Sequence, residues 1–164
     1  MQYTRELLFI VDNGRSYFLG NKRMTFAHAA QDCVSRKMEL VRVDSLSENG
    51  FLQREAAKLS LSNYGPWIGL HQMRAGGQWR WQDSCVARWT NWAPHEPNNA
   101  GSRGEDCAHF FNVNSGQWND LHCSNLLPYI CEERSNLQCP TPLPPTFHTT
   151  TIPAWGFHTK CKCK

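Results

Sequence analysis

Long apolar runs are missing from this chain. Residues 7–11 form a stretch of only five apolar positions. A bilayer span takes roughly 20, and the core of a secretory leader takes roughly 7–15. No membrane span is therefore expected, and either a leader has been removed or the chain is a fragment. No Asn-x-Ser/Thr acceptor occurs among the 164 residues, so N-glycosylation is not expected. Collagen-type repeats and a heptad neck are also absent, which excludes the two commonest built-in oligomerisation stalks. No nucleophile stands with a base and an orienting group, so catalysis is not expected. Acids are missing from residues 134–164, which carry Arg134, Lys160, Lys162 and Lys164. Residues 1–133 hold 13 Lys/Arg against 14 Asp/Glu. The net charge of +3 thus belongs to the tail and says nothing about the domain surface, and no nucleic-acid partner is expected.

Cysteine and tryptophan, by contrast, are plentiful. Eight Cys are too many for a reduced cytosolic protein and point to a secreted or extracellular domain with disulfides. A hydrophobic content of 40% and seven Trp support a folded core, and the length suits one domain. Trp67, Trp79, Trp81, Trp92 and Trp118 are expected in the core or under a loop.

Periodicity divides the chain into short elements. Strands are expected at 7–11 and 16–19. Thr25 is placed to cap a helix running to about residue 37, with Phe26, Ala29, Ala30, Cys33 and Val34 on its apolar face. Leu40, Val41 and Val43 read as extended. Ser47 with Glu48 opens a second expected helix, to about residue 59, burying Phe51, Leu52 and Ala56. Trp67–Leu70 reads as a core strand, and residues 78–82 put Trp79 and Trp81 on one face. Closing strands are expected at 108–112, 117–118 and 127–132. Residues 83–105 lack periodicity, and a loop that long inside a small domain is commonly functional. Residues 139–153 form a Pro/Thr-rich linker. The resulting division is a lead-in at 1–15, a domain at 16–133, and a linker with a Cys/Lys tail at 134–164.

The loop and the strands after it concentrate hard oxygen donors. Pro-His-Glu-Pro-Asn-Asn, Gly-Glu-Asp-Cys and Gln-Trp-Asn-Asp bring Glu96, Asn98, Glu105, Asn119 and Asp120 into 25 residues. Calcium takes six to eight oxygens and tolerates irregular loops. Five side chains and one backbone carbonyl leave room for two more oxygens. The segments Trp67-Ile68-Gly69-Leu70, Glu96-Pro97-Asn98 and Trp118-Asn119-Asp120, with Cys33, Cys107, Cys123 and Cys131 in order, resemble the C-type lectin domain family.

That resemblance implies an α+β fold, two helices flanking small antiparallel sheets with a long calcium-binding loop region. It also implies Cys33–Cys131 and Cys107–Cys123 disulfides. Glu96, Asn98, Glu105, Asn119 and Asp120 would hold one principal Ca2+ and hydrogen-bond the sugar. The Glu-Pro-Asn order accompanies mannose, N-acetylglucosamine or fucose in the family, whereas galactose-type members carry Gln-Pro-Asp. A cis Glu96–Pro97 bond is the expected device for turning the two flanking side chains to one point. Leu121 or His122 is a candidate to pack on the sugar ring. The acids that would build an auxiliary calcium site are missing at Gln72, Gly76 and Asn99. Ser16 stands where long-form members carry a cysteine.

Expected partners are glycans or glycoproteins with mannose-type sugars. The rival reading is a calcium-ordered protein-binding or adhesion domain without sugar specificity. Cys85, Cys139, Cys161 and Cys163 allow three pairings. The tail pair Cys161 and Cys163 is favoured for a disulfide-linked oligomer, with an internal Cys85–Cys139 link as the alternative.

Overall fold

A computed structural model describes residues 8–58, 64–73, 76–112, 114–133 and Cys139. The linker and the tail cysteines Cys161 and Cys163 lie outside the described residues. The chain opens with β1 (Leu8–Asp12), β2 (Arg15–Met24), α1 (Phe26–Ser35), β3 (Met38–Leu40) and α2 (Leu46–Lys58). It continues with β4 (Trp67–His71), β5 (Arg80–Trp81), β6 (Cys107–Asn112), β7 (Gln117–Leu121) and β8 (Leu127–Glu133). The expected elements are all present, with shifted ends.

Thr25 caps α1 as expected, its hydroxyl accepting from the His28 amide at 3.3 Å. The start of α2 differs from expectation. Ser45, not Ser47, supplies the oxygen that accepts from the Glu48 amide, at 3.2 Å. Glu48 is then free to point inward, where it is 7% exposed.

Instead of several small antiparallel sheets, the strands form one connected sheet in the order β1-β2-β8-β4-β6-β7. β3 joins at β8 and β5 at β4. The β4–β8 contact, Trp67 opposite Tyr129, is parallel and makes the sheet mixed. Strand content follows from residue type, whereas strand neighbours depend on where long connections return the chain. β2 pairs with β8, so the two ends of the domain lie side by side.

Side chains alternate along a strand, so a sheet covered on both faces has two cores. Tyr17 and Leu19 face Leu52 and Ala56 of α2, while Phe18 between them faces Phe26, Ala29 and Cys33 of α1. β4 divides likewise: Trp67 goes to the α1 side, Ile68 and Leu70 to the α2 side. Gly69 is required between them. A Cβ there would lie 2.6 Å from the Leu40 carbonyl oxygen, and its own N–H donates to the Val41 carbonyl at 2.8 Å.

Among the described residues three disulfides close the domain: Cys33–Cys131, Cys107–Cys123 and Cys85–Cys139. The first two match the pairs implied by the resemblance. The third is the internal link, so Cys85 and Cys139 are not available to bridge chains.

Candidate functional site

Trp118 is the floor on which the long loop rests. Its indole is fully buried and meets Trp81, Trp89 and Trp92 edge to face, at centroid distances of 6.0, 5.3 and 6.0 Å. Its Nε1–H donates to Asn49 Oδ1 at 2.8 Å. Its backbone holds the loop at two points. The Trp118 amide donates to the Asn91 carbonyl, and the Ala93 amide donates to the Trp118 carbonyl, both at 2.8 Å. The aromatic residues therefore serve as core and loop floor, as expected. Leu121, one of the two candidates to pack on a sugar ring, is partly buried against the α1-side core.

With Trp118 fixed, the next two residues of β7 rise beneath the loop. Asn119 is 8% exposed and Asp120 is 1% exposed. The Asp120 carboxylate accepts from the Asn98 amide at 3.1 Å and the Asn99 amide at 2.7 Å. The Asn119 side-chain amide donates to the Asp120 carbonyl. The Glu96–Pro97 bond is cis, and Asn98 Nδ2 donates to Glu96 Oε1 at 3.0 Å across it. The Ala100 amide lies 2.8 Å from both Asn98 Oδ1 and Glu105 Oε2. Four of the expected residues, Glu96, Asn98, Glu105 and Asp120, are thus joined in one hydrogen-bonded network of loop and strand. Asn119 borders it through the Asp120 carbonyl.

Asn99 is a clamp that sequence reasoning passed over. It sits at a positive φ of 48°, a conformation asparagine tolerates better than most residues. Its Oδ1 accepts from the Glu105 amide at 2.7 Å, closing the loop on itself. The Asn-Asn pair was visible in the sequence, but only the fold shows that the second of the two closes the loop. Asn49 and Asn91 were missed as well; both donate to the Gly116 carbonyl, at 2.9 and 2.8 Å, and so hold the turn before β7.

The electrostatics favour a cation. Burial pushes the Glu96 carboxyl above its ordinary range, and the neighbouring Asp120 and Glu105 charges push it further. Burial also raises Glu105; the Ala100 amide pulls it back, and Asp120 adds to the rise. Glu96 Oε2 is buried with no hydrogen-bond partner, as is Asp106 Oδ1. An unpaired buried carboxylate oxygen is costly. Among the described residues, no three acids, histidines or cysteines are grouped to hold a metal by themselves. The donor set is a mixture of carboxylate and amide oxygens. Hard oxygens of that kind fit calcium and do not fit a soft thiophilic metal.

A two-helix, mixed-sheet domain with such a loop on its β7 edge defines the C-type lectin-like class of fold. The chain belongs to that family: the lectin C-type domain matches residues 22–133. It is 35% identical over 122 residues to a hepatic lectin of Gallus gallus. That match takes in 73% of this chain but 55% of the hepatic lectin, so the chain spans about half of that relative. The cow carbohydrate-recognition domain of CD23, in the presence of a GlcNAc2Man3 oligosaccharide, superimposes with a TM-score of 0.67. Identity there is 30%, covering 79% of this chain and 95% of that domain. A calcium-independent type II antifreeze protein shares the fold at a TM-score of 0.64 and 22% identity, over 79% of this chain and 97% of that one. The fold alone therefore does not carry calcium dependence. Family membership makes this a carbohydrate-recognition type of domain rather than a catalytic one. No helix among the described residues is long and apolar enough to cross a membrane.

Proposed function

We propose that this domain is a calcium-dependent lectin for mannose-type sugars, secreted or displayed outside the cell. The observation that carries it is the hydrogen-bonded cluster of Glu96, Asn98, Glu105 and Asp120, in which one Glu96 oxygen is buried without a partner. Asn119 and the Asp120 carbonyl complete the donor set. When bound, calcium supplies the positive charge this cluster lacks and two coordination positions for neighbouring sugar hydroxyls.

The protein groups then choose the sugar. A hydroxyl donates to a carboxylate and accepts from an amide NH2. Glu96 before Pro97 and Asn98 after it make acceptor and donor asymmetric, and vicinal equatorial hydroxyls satisfy that order. Few sugar atoms are covered on so open a surface, so affinity for one sugar is expected in the order of millimolar. Useful binding requires several copies, worth about 10²–10⁴-fold. A disulfide-linked oligomer through Cys161 and Cys163 is the proposed source of those copies.

The test is retention on immobilised mannose and galactose, with a monosaccharide competition panel in calcium and an EDTA control. Wild type should be retained on mannose only, and EDTA should release it. Glu96→Gln with Asn98→Asp should shift retention toward galactose. If the swap changes neither resin, or apo-protein takes up no calcium at millimolar levels, the reading fails. Partner binding that EDTA abolishes and mannose does not compete would mark the calcium-ordered adhesion domain instead.

A further inference from the structure

Beside the site lies a cleft of about 340 Å³ that shares only Glu105 with the proposed calcium ligands. Arg103, Glu105, His122, Ser124 and Asn125 line it. Its polar groups are biased toward donation. The Arg103 side chain is exposed and forms no hydrogen bond or ion pair with the described residues. A guanidinium offers five N–H donors and no acceptor.

His122 is a second donor, by a local argument. The Ser124 backbone N–H lies 3.4 Å from His122 Nδ1, and an amide N–H only donates. Ser124 Oγ is also 2.7 Å from Nδ1. Nδ1 is therefore the acceptor, and the ring proton sits on Nε2. The Asn125 backbone and side-chain amides both donate to the His122 carbonyl, at 3.0 Å, and fix the backbone that carries the ring. Arg103 on the loop and His122 after β7 thus line one cavity from two separate segments.

We propose that this cleft binds an acidic substituent, a sulfate ester or a carboxylate, on a glycan whose neutral hydroxyls occupy the calcium site. The inference rests on the calcium reading above. Glu105 forms one wall, and only with its charge held by the metal does Arg103 leave the cleft net positive. An oxyanion accepts without donating, so it matches a lining of guanidinium, imidazole N–H and hydroxyl groups. A neutral sugar would leave the Arg103 donors to water.

Two measurements test this on the full calcium-loaded chain. In the first, sodium sulfate or sodium acetate is titrated while the Arg103 Nε and His122 Nε2 signals are followed by NMR, with sodium chloride at equal ionic strength as the control. Saturable shifts at both residues support the cleft, and the stronger of the two anions tells sulfate from carboxylate. In the second, N-acetylglucosamine is compared with its 6-sulfate, and glucose with glucuronic acid, as competitors for a mannose resin. The acidic member of at least one pair should compete about fivefold better, the effect of one partly exposed charge pair. Arg103→Gln should erase that advantage while leaving competition by neutral mannose unchanged. Shifts no larger than in chloride, or an acidic advantage that survives Arg103→Gln, overturn the inference. If calcium uptake or mannose binding is itself missing, it is the calcium reading that has failed, and the two failures are told apart by those controls.

Discussion

Asn49 shows how much a single amide carries. It is 2% exposed, donates to the Gly116 carbonyl and accepts from the Trp118 indole. Changing Asn49→Ala strands the buried Trp118 indole N–H, while the Gly116 carbonyl keeps its bond from Asn91. A buried polar group left unpaired costs about 1–3 kcal/mol, so a loss in that range is expected by denaturant unfolding. Because Trp118 floors the loop, mannose retention should weaken alongside. Glu132 makes a different prediction. Burial lifts its carboxyl to about 8; a bond from the Arg42 amide partly offsets this, and Glu48 lifts it further. Between about pH 4.5 and pH 8 the folded chain therefore keeps a proton that the unfolded chain has lost. Stability is full below that window and falls as pH rises through it, by at most about 1.4 kcal/mol per pH unit. Glu132→Gln has no proton to lose, so its melting temperature should decline less between pH 5 and pH 8.

At the scale of elements, the decisive contacts are close approaches of backbone. Gly69 lets β4 lie against the end of β3, where even one methyl would strike the Leu40 carbonyl. Gly69→Ala should cost about 1–3 kcal/mol, the range for overpacking a core, read as a lower melting temperature. The apolar Trp-Ile-Gly-Leu segment announced a buried strand, and Thr25 announced a helix start, because both are local signals. The start of α2 was misread between two serines that differ little in sequence. The choice depends on Glu48 finding Arg15 at 2.6 Å and Tyr17 at 2.8 Å on another strand.

Across the whole molecule, the Cys33–Cys131 bond joins α1 to the last strand over a separation of 98 residues. In the chain-entropy view a loop near that length is worth about 4–5 kcal/mol. Replacing both cysteines by alanine should lower unfolding stability by about that amount. The Cys85–Cys139 bond acts on the segment after β5, tying it to the chain beyond β8. Neither its partner choice nor the union of all strands in one sheet was readable beforehand. Both depend on where distant segments meet.

The chemistry of the candidate site was legible in the order of residues. Side-chain oxygens are a property of residue type, and their clustering within a short span survives any fold that closes the loop. Alternation and capping likewise follow from local geometry, so most elements could be placed from the chain alone. Only the tertiary structure decided which polar residues bond to one another across the loop. Asn98 and Asn99 are chemically identical, yet one bonds to Glu96 and the other to the Glu105 amide. The donor cleft of Arg103 and His122 is of the same kind. These two residues are 19 positions apart in the chain, and only the packing of loop against strand makes them neighbours of one cavity.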